Sequence, residues 1–406
     1  GLSTSYNSWL LPGPTATRMI SGLFRSHGRP RDSPRAKKRR TPMPSIFSCC
    51  RPMDESSRGA GGNGKVLPMR YAYQFTLRKT LFGEVACAID TKHNRRVAIK
   101  ISSKDRRFFK GGENPCAEAK IFRLFTKTLA RSASESSVES RKGAIPMADM
   151  DGRWHPHIIR YYGASEDSEK IWTVMEFAHR GELLDHITNS ANSRLPEDEA
   201  SRIIGQVAQG LAFCHANRIA HLDISPENVL LTRNWTAKIC DFGLAKRMDL
   251  EGIVIKPHYT GKANYMAPEA YAASNRNRSQ PQQKSVKFAG APADVFSLGI
   301  VMFLCITGVL PYQYPTKSDR RYTLVTGGRK ALGGLLKRWG IAVSAEAKDL
   351  LASMLLAEPS KRATIEDILA HSWVRSGQEA SIRNQFRSPL SPSTPLTTTS
   401  SSLQSH

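Results

Sequence analysis

Residues 221–243, HLDISPENVLLTRNWTAKICDFG, hold a His-x-Asp, an asparagine five residues after that aspartate, and an Asp-Phe-Gly whose aspartate lies thirteen residues further on. The carboxylate of Asp223 is suited to accept or orient the proton of an attacking hydroxyl. The amide of Asn228 and the carboxylate of Asp241 offer the hard oxygen donors that hold Mg²⁺ against phosphates. Together the three are what phosphoryl transfer from ATP needs. Upstream, Val97-Ala98-Ile99-Lys100 ends a strand-like run and puts one ammonium at a fixed height. Glu118, eighteen residues on, falls on a helical pattern with an apolar stripe at Ile121, Phe122, Leu124 and Phe125.

The stretch resembles the catalytic and metal loops of eukaryotic protein kinases. That resemblance implies that Lys100 holds the α- and β-phosphates while Glu118 orients it, and that Asn228 and Asp241 are the metal ligands. Met175-Glu176-Phe177-Ala178 is similar to the family's gatekeeper and hinge. The backbone of Glu176 and Ala178 would then bind adenine, with Val85, Ala98 and Leu230 sandwiching the ring. Ala267-Pro268-Glu269 resembles the close of the activation segment, and Arg362 sits where the family places a partner for that Glu. Asp294 to Gly299 is similar to the D-x-W-S-x-G helix start, whose Asp anchors the catalytic loop, with Phe296 in place of Trp. Pro226-Glu227-Asn228 is of the Ser/Thr type. The resemblance covers residues 70–375. It implies an α+β, two-lobed protein kinase fold, a protein substrate, and ATP with Mg²⁺.

Four departures from the family pattern stand out. Of the glycine-rich loop that covers phosphates, Arg78 to Val85 keeps only Gly83; the lost glycines restrict close backbone approach. Arg78 and Lys79 either offer side-chain cations to the phosphates instead or point to solvent. Leu222 replaces the Arg of H-R-D, and Leu244 to His258 contains no Ser, Thr or Tyr. Ser225 replaces a catalytic-loop Lys, while Lys262 occupies an activation-segment Thr position. The last two read as an exchange, which places the Lys262 nitrogen within about 4 Å of an Asp223 oxygen, or one water away. Glu182 and Glu227 fall where some kinases bind basic substrate residues; solvent exposure is the alternative. The thinned loop and the H-L-D-x-S-P-E-N form are also similar to divergent parasite families such as the FIKK kinases, against which Val97 to Lys100 argues. A scaffold that binds nucleotide or partners without catalysis is the rival reading.

The elements that must position these groups follow from periodicity. Strands are expected from Tyr71 to Ile101, over Ile158–Tyr162 and over Ile171–Phe177, with a helix at Ala117–Leu129. These make a β-rich small lobe, 70–177. From 178 to 375 the pattern is helical: Leu183–Ser190, Glu197–Ala216, Ala293–Thr307, Ala345–Leu356 and Ile365–Ala370. Polar insertions are expected at 130–153 and 272–290, and an unfolded Ser/Thr/Pro-rich tail from Ser376. Residues 1–69 read as a disordered basic extension.

The 406 residues carry 59 Lys+Arg against 35 Asp+Glu, a net +24 that favours acidic or phosphate-bearing partners. The cluster from Arg35 to Arg40 suits nuclear import, contact with acidic partners or nucleic acid, or a solvated charge run. No aromatics interleave it, which argues against a dedicated nucleic-acid reader. Seven scattered cysteines read as reduced thiols, hence a cytoplasmic or nuclear setting. The apolar run Val295–Leu310 is shorter than the roughly 18–20 residues of a membrane span and reads as a core helix. No basic stretch followed by an apolar one opens the chain, so no secretory signal is expected. It begins with Gly1 and not Met, which leaves its true N-terminus open.

Overall fold

A computed structural model describes residues 70–80, 83–104, 115–135, 154–256, 261–272 and 286–386. The basic extension with Arg35 to Arg40, Leu81 and Phe82 of the phosphate-covering loop, residues 136–153 and 273–285 of the insertions, and the tail beyond Phe386 lie outside these.

Five strands, β1 (Tyr71–Thr80), β2 (Gly83–Asp90), β3 (Arg95–Ser103), β4 (Tyr161–Glu166) and β5 (Lys170–Glu176), form one antiparallel sheet in the order β1-β2-β3-β5-β4. Strand alternation divides its faces. Val97, Ile99, Trp172 and Val174 pack with Ala88 on one face. Lys100 lies opposite Val85 and Thr173, and Ala98 opposite Cys87 and Met175, so all six share the other face. Across that face lies helix α1 (Pro115–Glu135), which buries Phe122 and Phe125.

The large lobe is built on α3 (Glu197–Ala216) and α4 (Gly290–Thr307), with α2 (Leu183–Asn189) on the hinge side. Short pairs β6 (Ile219–Ala220) with β9 (Lys246–Arg247), and β7 (Val229–Leu231) with β8 (Ala237–Ile239), frame the loops between them. Then come α5 (Arg320–Val325), α6 (Gly328–Arg338), α7 (Ala345–Met354), α8 (Ile365–Ala370) and α9 (Ser372–Phe386). By length and composition α4 is apolar enough to cross a membrane, but 89% of it is buried inside the protein. It is the core helix that the short apolar run predicts.

Several boundaries differ from the sequence expectation. Ile158 and Ile159 are wholly buried, and Ile158 bridges Ile239 of the large lobe, so the strand starts later, at Tyr161. The helix α1 runs through Glu135, into the expected polar insertion. The end of the second insertion is ordered too: β11 (Val286–Ala289) pairs with β10 (Ile253–Lys256) of the activation segment. The expected unfolded tail from Ser376 is instead the rest of α9, to Phe386. Its docking on α3 explains this: Ser201 donates from Oγ to the Trp373 carbonyl at 2.6 Å, and a Cβ on Gly205 would meet Val374 and Gln378. Tertiary contact there overrides polar composition.

Candidate active site

Lys100 does not end its strand as its motif implies: β3 continues to Ser103, and from inside it Lys100 joins two carboxylates. Its Nζ lies 3.1 Å from Glu118 Oε2 and donates to Asp241 Oδ1 at 2.7 Å. Glu118 is also an acceptor for the Phe242 N–H at 3.2 Å, which ties α1 to the Asp-Phe-Gly turn. Burial pushes Glu118 above the ordinary carboxylate range, with the Lys100 ammonium pulling it back. At Asp241, withdrawal from water is outweighed by Lys100 and the Gly243 N–H, which hold the carboxyl well below that range. Phe242 is buried edge-on to Phe122, Phe125 and His221, so one ring joins the helix, the turn and the catalytic loop.

The catalytic loop is held from below by Asp294, fully buried at the start of α4. It accepts from the His221 N–H at 2.8 Å and the Leu222 N–H at 2.7 Å, and His215 Nε2 lies 2.9 Å away. These contacts fix Leu222 at φ 62, a left-handed conformation that costs a side-chain residue about 1–2 kcal/mol and persists where the surroundings dictate it. Asp241 is left-handed as well, at φ 59. Asn228 donates from Nδ2 to the Asp223 carbonyl at 2.8 Å and to Asp223 Oδ2 at 2.7 Å. With Nδ2 committed, Oδ1 is the amide's acceptor for a cation. Asn228 and Asp241 thus present an amide and an ionised carboxylate, a donor set that fits Mg²⁺ shared with phosphate oxygens.

Around the adenine position expected from the sequence, Ala98, Met175 and Ala178 are buried while Val85 and Leu230 are half-buried. Glu176 turns its side chain to the far side, where Lys238 Nζ lies 3.0 Å from Oε2 and the Arg160 N–H donates to the same oxygen. Sequence reasoning missed Lys238 as a hinge anchor; nothing in its local pattern marks it. The one retained loop glycine has a packing reason. A Cβ on Gly83, at φ 158, would run into the Ile101 carbonyl oxygen of β3.

Arg78 stays half-exposed, but it is also paired within the protein. Its Nη1 donates to Glu182 Oε1 at 2.8 Å, across the cleft. Lys262 turns inward, donating to Ser225 Oγ at 2.7 Å with Glu227 Oε2 at 3.6 Å. It makes no ion pair with Asp223 within 4.0 Å among the described residues, so the direct contact expected of it is replaced by one to Ser225. The activation segment ends on a buried fork: Arg362 Nη1 and Nη2 donate to Glu269 at 2.8 and 3.1 Å, and Nη1 also to the Pro292 carbonyl.

The protein kinase domain family matches residues 126–374. This chain belongs to the protein kinase family. The match begins inside α1, so β1 to β3, with the thinned glycine loop, precede it, while β4 and β5 lie within it. The kinase is 33% identical over 322 residues to the serine/threonine protein kinase OSK3 of Oryza sativa subsp. indica, covering 79% of this chain and 53% of that one. It is 31% identical over 297 residues to the carbon catabolite-derepressing protein kinase of Secale cereale, covering 73% and 49%. A third similar protein is the serine/threonine-protein kinase SIK3 homolog of Danio rerio, 32% identical over 223 residues, covering 55% and 17%. This kinase therefore spans about half the length, or less, of the curated relatives it matches.

Proposed function

We propose that this kinase is catalytically active and transfers the γ-phosphoryl group of ATP, with Mg²⁺, to Ser or Thr hydroxyls of proteins. The observation that carries the reading is the bridge from Lys100 to both Glu118 and Asp241, which assembles the phosphate-binding cation and the metal-binding carboxylate in one geometry. In this reading Asp223, held by Asn228, accepts the hydroxyl proton; Lys100 fixes the phosphates; Glu118 fixes Lys100. Mg²⁺ held by Asp241 and Asn228 would neutralise charge on the phosphates. The Pro226-Glu227-Asn228 run and the named Ser/Thr kinases among the similar proteins support hydroxyl rather than phenol acceptors.

The scaffold reading draws on Arg78, which stands where a phosphate-covering glycine would and is paired to Glu182. Phosphotransfer to a generic basic protein distinguishes the two. Lys100→Met and Asp241→Ala should each lower the rate by about 10²–10³ while leaving the melting transition in place, since both act through charge on the phosphates. A wild-type rate no higher than that of Asp241→Ala would establish the scaffold.

A further inference from the structure

Phosphoryl transfer beside Asp223 and Asp241 places phosphate oxygens between two carboxylates, and such a transition state needs cations aimed at it. Lys100 is engaged by Glu118 and Asp241. The cation next to the catalytic loop on the other side comes from the activation segment. We propose that Lys262 is a catalytic residue, whose ammonium stabilises the transferring phosphoryl group from the wall opposite Lys100. The inference rests on the active-kinase reading above.

Three features support it. Lys262 donates to the hydroxyl of Ser225, two residues from Asp223, and Ser225 is completely buried, so the ammonium is already at the floor of the site. Glu227 Oε2 is buried and lies 3.6 Å from the ammonium, an ion pair too long to be a hydrogen bond. The backbone that carries Lys262 is close to the base as well. At Gly261, with φ 128, a Cβ would sit 3.6 Å from Asp223 Oδ1. The ammonium is thus held by a charge-assisted hydrogen bond to a hydroxyl, worth roughly 1.5–3 kcal/mol net, and by the looser ion pair with Glu227, on a flexible four-carbon stem. An incoming phosphate is the stronger partner.

In the step itself the acceptor oxygen bonds to the γ-phosphorus as the bond from that phosphorus to the β–γ bridging oxygen breaks. The electron pair leaves on ADP, the hydroxyl proton passes to Asp223, and Lys262 balances charge on the phosphoryl oxygens in flight. Because this cation rides on the activation segment, placing the segment and completing the catalytic site are one event.

The test uses the full chain, ATP and a generic basic protein, with the affinity for ADP–Mg²⁺ measured with and without aluminium fluoride as a transition-state probe. Lys262→Ala should lower kcat by about 10²-fold with KM for ATP within about twofold, and should abolish the tightening that fluoride adds to ADP. Ser225→Lys combined with Lys262→Thr should recover at least about tenfold of the lost kcat. A near-normal kcat in Lys262→Ala, equal weakening of ADP and of its fluoride complex, or a swap no better than Lys262→Ala would each overturn the proposal while an active wild type leaves the kinase reading standing. A wild type as inactive as Asp241→Ala overturns both.

Discussion

Arg78 of β1 and Glu182, the residue before α2, form an ion pair at 2.8 Å that crosses the cleft between the two lobes. They lie 104 residues apart in the chain. The guanidinium replaces a glycine at the start of the phosphate-covering turn, and it is occupied by protein before any nucleotide arrives. The Arg78 side chain is 51% exposed, which puts the pair in the range of about 0–1 kcal/mol and makes it sensitive to salt.

Arg78→Gly should therefore strengthen ATP binding by about threefold to fivefold, the equivalent of releasing a pair worth under about 1 kcal/mol. The gain should shrink as ionic strength rises. Calorimetric titration with ATP at low and high salt checks this. Weaker binding in Arg78→Gly would mean that the guanidinium serves the phosphates directly.

Activity should not depend on a phosphate in the activation segment. Leu222 offers no guanidinium to pair with one, and Leu244 to Lys256 supply no hydroxyl. The β10–β11 pair and the Lys262–Ser225 contact hold the segment instead. Phosphatase treatment should change kcat by less than about twofold, because a phosphate lacking an Arg partner adds little ordering energy. Tyr259 and Thr260 lie outside the described residues, and mapping a large phosphatase-sensitive loss of rate to either one would contradict the expectation.

The pH profile should report Asp223. Desolvation raises its carboxyl above the ordinary aspartate value, Lys262 lowers it, and Asp241 adds to the rise. In the proposed mechanism Asp223 accepts the proton and must be deprotonated, so rate is lost as pH falls through its pKa, and a raised pKa moves that acid limb of kcat/KM upward. Removing the Lys262 cation removes a lowering influence, so the limb in Lys262→Ala should move further up, measured from pH 4 upward against wild type. A limb that stays in place would show that the ammonium exerts no field on the base.

The fork between Arg362 and Glu269 should matter for stability. The Arg362 side chain is completely buried and also holds the Pro292 carbonyl, so truncating it strands Glu269. Arg362→Met should cost about 3–5 kcal/mol, the usual consequence of breaking a buried pair on one side. The double replacement Arg362→Met with Glu269→Met should cost less than the single one, because no unpaired charge remains. Thermal or urea unfolding of the three proteins measures it, and additive losses would refute the pairing.

The parts of this protein legible in its sequence are those set by short-range periodicity. Asp223, Asn228 and Asp241 are close in the chain, so their spacing alone marks them for one site. Strand alternation puts Ala98 and Lys100 on one face, and α3 and α8 have the bounds that their apolar patterns imply. The capping box of Thr364 and Asp367, where each side chain satisfies the other's backbone, fixes the start of α8 locally.

What only the tertiary structure decided is which distant group each polar side chain meets. Arg78 finds Glu182, Lys238 finds Glu176, and Lys262 finds Ser225, thirty-seven residues away, rather than Asp223. Helix α9 meets α3 through Trp373, Val374 and Gln378, a contact that its polar composition does not announce. A charge has no period. Its partner is set by how the lobes and the activation segment pack, and that packing is determined by the buried apolar residues, not by the charged residues that it brings together.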